Sequence, residues 1–215
     1  MKISENLPFY SNTPDDTHCF QAGMKMILKY FIPDKDFSFE ELDRISMKKE
    51  RLWTWPMAAL IWMQENGFNV ISIGAFDYQK FADEGVNYIF QEFGKEVGET
   101  QEKHSNIEQE RRLSRMFLEK VKVELRLPKK EDIFRLMEEG YVIAINVNAM
   151  ALDGEKGYAG HLVIIKGYDN ENFILNDPGL PGKENKVVAF DIFEKAWAYP
   201  NEKAKNIMAF KLNRK

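Results

Sequence analysis

Residues 16–31, DTHCFQAGMKMILKYF, decide how the rest of the chain is interpreted. Apolar side chains recur in this stretch three or four positions apart, which predicts an amphipathic helix. The turn-like sequence SNTPDD leads into it, and Asp16 or Thr17 can cap its first N–H groups with a side-chain oxygen. Pro33 follows the predicted end. Cys19, the only cysteine, therefore falls at the start of this helix.

In the chain as a whole, the first half is predicted to be mainly helical and the second half to be richer in strands. Between residues 78 and 140 the sequence is charged and mostly helical, whereas from residue 141 apolar, β-branched and aromatic runs are separated by Gly, Asp and Asn. Helices are predicted at residues 39–46, 56–64, 131–137 and 192–198, and strands at 69–73, 141–147, 161–165, 172–175, 187–190 and 207–210.

Helices first and strands second, without βαβ alternation, predict an α+β fold with N-terminal helices packed on a C-terminal antiparallel sheet. We expect one domain over residues 1–215, because no repeat or low-complexity linker divides it. Residues 78–127 are expected to form a mainly helical insertion that borders the functional cleft. The alternative is that these helices only cover core surface far from it.

Composition narrows the classes of function. Acidic residues number 34 and basic residues 30, for a net charge of -4, so a nucleic-acid partner is not expected. No apolar run approaches the roughly 20 residues of a membrane helix, and the N-terminus lacks the apolar core of a signal peptide. A lone cysteine excludes an intramolecular disulfide and a zinc site built on several cysteines. It suits a reducing compartment, and the cytoplasm is the expected location.

Cys19 is the candidate nucleophile. Free N–H groups and the helix dipole at a helix N-terminus favour the thiolate, which is the reactive form of cysteine. The alternative is that Cys19 is a small buried apolar residue, as free cysteine usually is.

Three histidines are available as a base. His104 lies in a charged stretch and is expected on the surface, and His18 adjoins Cys19 along the helix start, so the two side chains do not face each other. His161 opens an apolar strand after the turn GYAG, and its distance from Cys19 falls in the range of about 130–150 residues seen between papain's cysteine and histidine. A purely structural histidine is the alternative.

A third group should orient the histidine and stabilise its cation. Asp177 follows the predicted strand at residues 172–175 and precedes Pro178 and Gly179, so an adjacent antiparallel strand would bring its carboxylate near His161. Asn176 is the rival for this role, and Asp177 can also be a plain turn former.

Three blocks resemble the C39-like peptidase family of papain-like cysteine peptidases. Residues 8–31 (PFY…DTHC…MILKYF) resemble the nucleophile helix, residues 157–169 (GYAGHLVIIKGYD) the histidine strand, and residues 173–179 (FILNDPG) the Asp-Pro turn. The resemblance implies a papain-like fold and peptide-bond hydrolysis at Cys19, His161 and Asp177, without a metal or other cofactor. It does not extend through residues 78–127.

Two features of the sequence depart from the family pattern. Phe20 and Gln21 follow the cysteine where Gly-Pro is common, and the family's oxyanion-binding glutamine has as its nearest counterpart Asn12, one methylene shorter. Asn12 is therefore either an oxyanion donor or only a turn residue.

The sequence predicts a thiol-dependent hydrolase of peptides or small amides that acts through an acyl-enzyme. Two alternatives stay open: a non-catalytic peptide-binding module on the same fold, and a thiol acyltransferase or amidase. The family's leader-peptide processing is not carried over, because the chain contains no ATP-binding motif and no transmembrane segment.

Overall fold

The structure is a computed structural model that describes residues 2–213. In chain order its elements are β1 (Lys2–Ile3), α1 (Cys19–Phe31), α2 (Phe39–Ile45), α3 (Met57–Glu65), β2 (Phe68–Gly74), α4 (Tyr78–Glu84), α5 (Val86–His104), α6 (Ile107–Lys120), β3 (Lys122–Leu125), α7 (Lys130–Glu138), β4 (Val142–Asn148), α8 (Ala149–Leu152), β5 (Gly160–Tyr168), β6 (Asn172–Asp177), β7 (Lys183–Ala189), α9 (Phe190–Trp197) and β8 (Asn206–Leu212).

The strands form one sheet in the order β3-β2-β8-β4-β5-β6-β7, and β1 pairs with β5 outside this path. Pairing is antiparallel throughout this order except between β2 and β3, which run parallel. The predicted α+β fold with a largely antiparallel sheet is therefore confirmed. The parallel pair at one edge was not expected.

Apolar side chains cover both faces of the sheet, because successive strand residues point to opposite sides. On β4, Val142 and Ala144 join the core that contains α1, α3 and α6, while Ile143 and Ile145 join a second core beneath α7 and α9. The candidate nucleophile helix α1 lies on the first of these faces.

Most predicted elements are confirmed with shifted ends, two local predictions are wrong, and some short elements were missed. His18, not Asp16 or Thr17, occupies the N-cap position of α1, and no side chain caps the helix. Pro56 is the N-cap residue of α3 rather than its first helical residue. The strand β3 was not predicted, because its four residues, KVEL, are short and charged and owe their conformation to pairing with β2. The one-turn helix α8 was also missed.

Residues 78–127 fold mainly as three helices, α4, α5 and α6, and end in the strand β3. The helix α5 is kinked at Gly94, whose φ of 83° is not helical. Aromatic packing holds these helices to the core: Tyr78 lies 4.7 Å from Phe117, and Phe81 stacks 5.0 Å from Trp55, measured between ring centroids. None of the helices found between residues 2 and 213 has both the length and the apolar character needed to cross a membrane.

Candidate active site

The position of Cys19 depends on a close approach between α1 and β5. Gly23 lies one helical turn after Cys19, and a Cβ atom added there would stand 2.4 Å from Leu162 Cδ2. Since the glycine has no side chain, the helix can pack directly on the strand residue that follows His161. Cys19 is thereby held against the start of β5.

The loop before α1 is fastened by Asn12 rather than by a helix cap. Its Oδ1 accepts hydrogen bonds from the backbone N–H groups of Thr13 (2.9 Å) and His18 (2.7 Å). The backbone N–H of Asn12 in turn donates to the carbonyl of Pro178 at 2.7 Å. The loop that precedes Cys19 is therefore tied to the turn that follows Asp177.

The structure brings Cys19, His161 and Asp177 together. His161 Nε2 lies 2.7 Å from Asp177 Oδ1, and the imidazole lines the same cavity as the Cys19 thiol, near enough to lower the pKa of that thiol. The side chains of His161 and Asp177 are only 10% and 8% exposed. Asp177 is the last residue of β6 rather than the first residue after it, and the backbone N–H of Gly179 also donates to its Oδ1.

Asn176, the rival for the orienting role, makes other contacts. Its side chain is buried, its Nδ2 donates to the carbonyl of Pro8 at 3.2 Å, and its Oδ1 accepts from the backbone N–H of Asn185. Adjacent residues of a strand point to opposite faces, so only one of the two can meet the imidazole.

Replacing Asp177 with asparagine is therefore expected to lower kcat/KM by roughly 10²- to 10⁴-fold, because the amide cannot stabilise the imidazolium. Asn176→Ala should instead cost about 1–3 kcal/mol of unfolding free energy, since it leaves buried polar groups unpaired. Activity per folded molecule should stay near that of the parent protein. Peptide hydrolysis and denaturant unfolding of both variants check this, and the reverse pattern would contradict it.

The surroundings of Cys19 favour its thiolate. Burial by itself raises the pKa of the Cys19 thiol, but the hydrogen bond and positive charge of His161 lower it, as do the backbone N–H groups of Leu162 and Phe20. The net result is a pKa below the ordinary value for cysteine.

The imidazole is shifted in the opposite direction. Burial acts to lower the pKa of His161, but its hydrogen bonds with Asp177 and Cys19, together with their charges, raise it above its ordinary value. The pKa of Asp177 is lowered despite burial, by His161 first and then by Lys186 and the N–H of Gly179. The three groups thus support a thiolate, an imidazolium and a carboxylate.

Lys186 forms ion pairs with both Asp177 and Asp153. Its Nζ lies 2.9 Å from Asp177 Oδ2 and 2.8 Å from Asp153 Oδ1, and its side chain is 13% exposed. Burial acts to lower the pKa of Lys186, but the bonds with Asp153 and Asp177 raise it, so the amine stays charged. The carboxylate oxygen that does not meet His161 is therefore held by a cation.

We expect Lys186→Met to lower kcat roughly 10- to 100-fold with little change in KM, because a lost hydrogen bond to a charged group lets the Asp177 carboxylate turn. Lys186→Arg should restore most of the loss, since it keeps a cationic donor.

Lys183→Met is the matched control for this change. Lys183 contacts Asp153 at 3.4 Å and is 46% exposed, and the structure shows no hydrogen bond from its amine to Asp177. Equal effects of the two methionine variants, or no rescue by arginine, would argue against a positioning role for Lys186.

Asn12 lies at the edge of the cavity that contains Cys19. Its Nδ2 donates one N–H to Asp16 Oδ1 at 2.8 Å, and an amide nitrogen carries two. Asp16 itself has a φ of 55°, an uncommon conformation for a non-glycine residue. The amide of Asn12 is thus fixed in the loop and retains one donor.

The other two histidines lie outside this group. His18 Nδ1 contacts Thr13 Oγ1 at 2.6 Å, and its Nε2 lies 3.3 Å from Asp43 Oδ2, so it joins the loop to α2. His104 was expected on the surface, but it is half-buried and stacks on Trp53 with 4.9 Å between ring centroids.

Residues 78–127 contribute one wall to the cavity that holds Cys19. That wall comes from α5 and includes Ile89, Phe93, Val97 and Gln101. The connection between α9 and β8 also lines the cavity, through Tyr199, and so does Asn206 at the start of β8. Sequence reasoning missed this connection and Lys186, because neither carries a local motif.

A partly buried thiol at a helix N-terminus, facing a strand-borne imidazole and a buried aspartate on the next strand, defines a papain-like class of protein. The chain belongs to the C39-like peptidase family, since the model of the Peptidase_C39 like family matches residues 5–205. The resemblance seen in the sequence blocks is thereby confirmed.

Among solved structures, the chain is similar to a candidate C39-like peptidase from Bacillus anthracis. The two are 18% identical, the match covers 99% of this chain and 98% of that one, and the TM-score is 0.51. The likeness supports the papain-like fold. No curated protein matches the chain.

Proposed function

We propose that this protein is a thiol-dependent hydrolase that cleaves peptide or related amide bonds through an acyl-enzyme. The observation that carries the proposal is the position of His161, which is hydrogen-bonded to Asp177 and lines the same cavity as Cys19, whose pKa it lowers. A nucleophile, a base and an orienting group in mutual contact are the set that acyl transfer requires. Family membership adds support for a peptidase.

In the acylation half, the Cys19 thiolate attacks the carbonyl carbon, a C–S bond forms, and the π electrons move to the oxygen. Asp177 occupies Nε2 of His161, which leaves Nδ1 to exchange protons with sulfur and substrate. When the tetrahedral intermediate collapses, the C–N bond breaks and the imidazolium gives its proton to the departing amine. The product on the enzyme is a thioester at Cys19.

In the deacylation half, neutral His161 takes a proton from water as its oxygen attacks the thioester carbonyl. Collapse breaks the C–S bond, releases a carboxylic acid and restores the thiolate beside the imidazolium. Asp177 stabilises the cation in both halves, and Lys186 keeps the carboxylate in place.

The oxyanion formed in each half needs N–H donors. We assign this role to the backbone N–H of Cys19 and to the second N–H of the Asn12 amide. Two features favour Asn12: it borders the cavity that contains Cys19, and its oxygen is fixed by two backbone N–H groups.

A double exchange tests this assignment without destroying the loop. Asn12→Asp combined with Asp16→Asn reverses the bond between the two side chains and keeps an oxygen for the N–H groups of Thr13 and His18. It removes the donor at position 12, so kcat should fall by about 10²- to 10³-fold while the protein stays folded. Full activity in the double variant would mean that Asn12 serves the loop alone.

Two rival functions use the same fold. A peptide-binding module would bind peptides without turnover, whereas an acyltransferase would pass the acyl group to an amine. Incubation of the protein with a peptide library, with and without an added amine nucleophile, separates them. Hydrolysed products in both samples support our proposal, amine-linked products support the transferase, and no product with a normally reactive thiol supports the module.

The proposal includes a cytoplasmic location, because the catalytic thiol must remain reduced. Cell fractionation with an antibody to the protein tests it, and recovery in an oxidising compartment would contradict it.

A further inference from the structure

The cavity that contains Cys19 is small and has one long apolar wall. Its volume is about 310 Å³, near the lower end of the roughly 300–1,000 Å³ typical of ligand pockets. Its apolar wall consists of aromatic and aliphatic side chains, namely Trp53, Trp55, Phe76, Ile89, Phe93 and Val97. Such a surface gains free energy by covering a large apolar group.

This wall is fixed before any ligand binds. Phe76 stacks on Phe93 with 6.0 Å between ring centroids. Trp55 stacks on Phe81, and its indole Nε1–H donates to Gln101 Oε1 at 3.1 Å and to Ser105 Oγ at 3.0 Å. A preformed pocket binds without the entropy cost of ordering its own side chains.

Hydrogen bonds join α5 to the connection between α9 and β8, and both of these segments line the cavity. The hydroxyl of Tyr199 donates to Glu96 Oε2 at 2.7 Å, and Asn201 Nδ2 donates to the carbonyl of Glu92 at 2.9 Å. Tyr158, which precedes His161, stacks on Tyr199 with 5.9 Å between ring centroids. We infer that an extended polypeptide could enter between these two segments only if the bonds broke.

Besides Asn12, the cavity has a polar side chain that is available to a substrate. Asn146 lies on β4 opposite Leu162 of β5 and lines the cavity. Its backbone groups bond to Asn206, but within residues 2–213 its side-chain amide has no hydrogen-bond partner. A primary amide both donates and accepts, which matches the N–H and C=O groups of a peptide.

From these features we propose that the site accepts short peptides or amides that carry an aromatic or large aliphatic side chain beside the scissile bond. That side chain would lie against the apolar wall, and the side-chain amide of Asn146 would form hydrogen bonds with the substrate backbone. The inference rests on the proposed function for its scissile bond, although the binding preference stands without turnover.

The first test compares capped single-residue amides of phenylalanine and glycine as substrates, and a long peptide with the same phenylalanine. We expect kcat/KM for the phenylalanine amide to exceed that for the glycine amide by roughly 100-fold or more, because the glycine amide fills none of the pocket. The long peptide should be cleaved more slowly than the short amide. Equal values for phenylalanine and glycine, or faster cleavage of the long peptide, would overturn the inference.

A pocket-filling variant gives the structural control. Val97→Trp adds an indole to the apolar wall and should abolish the preference for phenylalanine over glycine. Leu125→Trp adds the same group at a position 60% exposed on the edge strand β3 and should change nothing. Retained preference in a folded Val97→Trp protein, judged by its thermal melt, would place the apolar subsite elsewhere.

Binding separates this inference from the proposed function. Calorimetry on the Cys19→Ala protein, which cannot react, should show N-acetylphenylalaninamide binding at least about tenfold tighter than N-acetylglycinamide. Selective binding without turnover in the parent protein would sink the hydrolase proposal alone. Turnover or thiol reactivity without selective binding would sink the pocket inference alone.

Discussion

Cys19→Ala should reduce peptide hydrolysis by about 10⁴- to 10⁶-fold, to the level that binding and oxyanion donors sustain alone. The physical reason is that Cys19 is the chain's only thiol and lines the same cavity as His161, which lowers its pKa. Without sulfur no thioester forms, and the buried imidazole has no nucleophile to assist. Steady-state assays with a fluorogenic peptide measure the loss.

The alanine variant is informative only when folding is intact. Cys19 is partly buried against the first core, so we expect a thermal melt close to that of the parent protein. A folded Cys19→Ala protein that retains more than a small fraction of the activity would exclude the thiol as nucleophile.

His161→Ala is expected to reduce peptide hydrolysis about as much, because removing one member of a catalytic unit also removes the contribution of the others. The variant removes the proton carrier and also the cation that lowers the pKa of Cys19. The thiol should then require a higher pH to react. Asp177 would keep Lys186 and the N–H of Gly179 as partners, so the negative charge of its carboxylate would remain stabilised.

His104→Ala provides the matched control. His104 stacks on Trp53, and the structure shows no hydrogen bond between its side chain and Cys19 or Asp177. Its replacement should leave the rate of Cys19 alkylation unchanged, while the His161 variant slows it. A similar slowing by both variants would show a loss of packing rather than of an ion pair.

The sequence was sufficient to predict the helix and the two strands that carry the residues of this site. The apolar periodicity of residues 20–31 is local, so it predicts α1 and places Cys19 at its start. The runs around His161 and Asp177 are strand-like, and neighbouring antiparallel strands bring such residues together. In the structure, His161 contacts Asp177 and shares a cavity with Cys19, whereas the side chain of Asn176 is directed elsewhere.

Other features depend on tertiary structure that no local pattern encodes. Lys186 meets Asp177 through a register shift, since Leu175 pairs with Lys186 while Asp177 pairs with Lys183. The four residues of β3 form a strand only because they pair with β2. No side chain caps the N-terminus of α1, and Asn12, six residues before His18, instead binds the N–H of His18.

The most direct test of the account is the pH dependence of Cys19 alkylation by iodoacetamide, followed by intact mass because the chain has one cysteine. The pKa of Cys19 is lowered and that of His161 is raised, so the ion pair exists between these two values. Alkylation should therefore be fast well below the ordinary thiol pKa of about 8.5, and His161→Ala should move the rise in rate toward that value. A parent protein that reacts no faster than a free-cysteine peptide, with a profile unchanged by His161→Ala, would contradict the account.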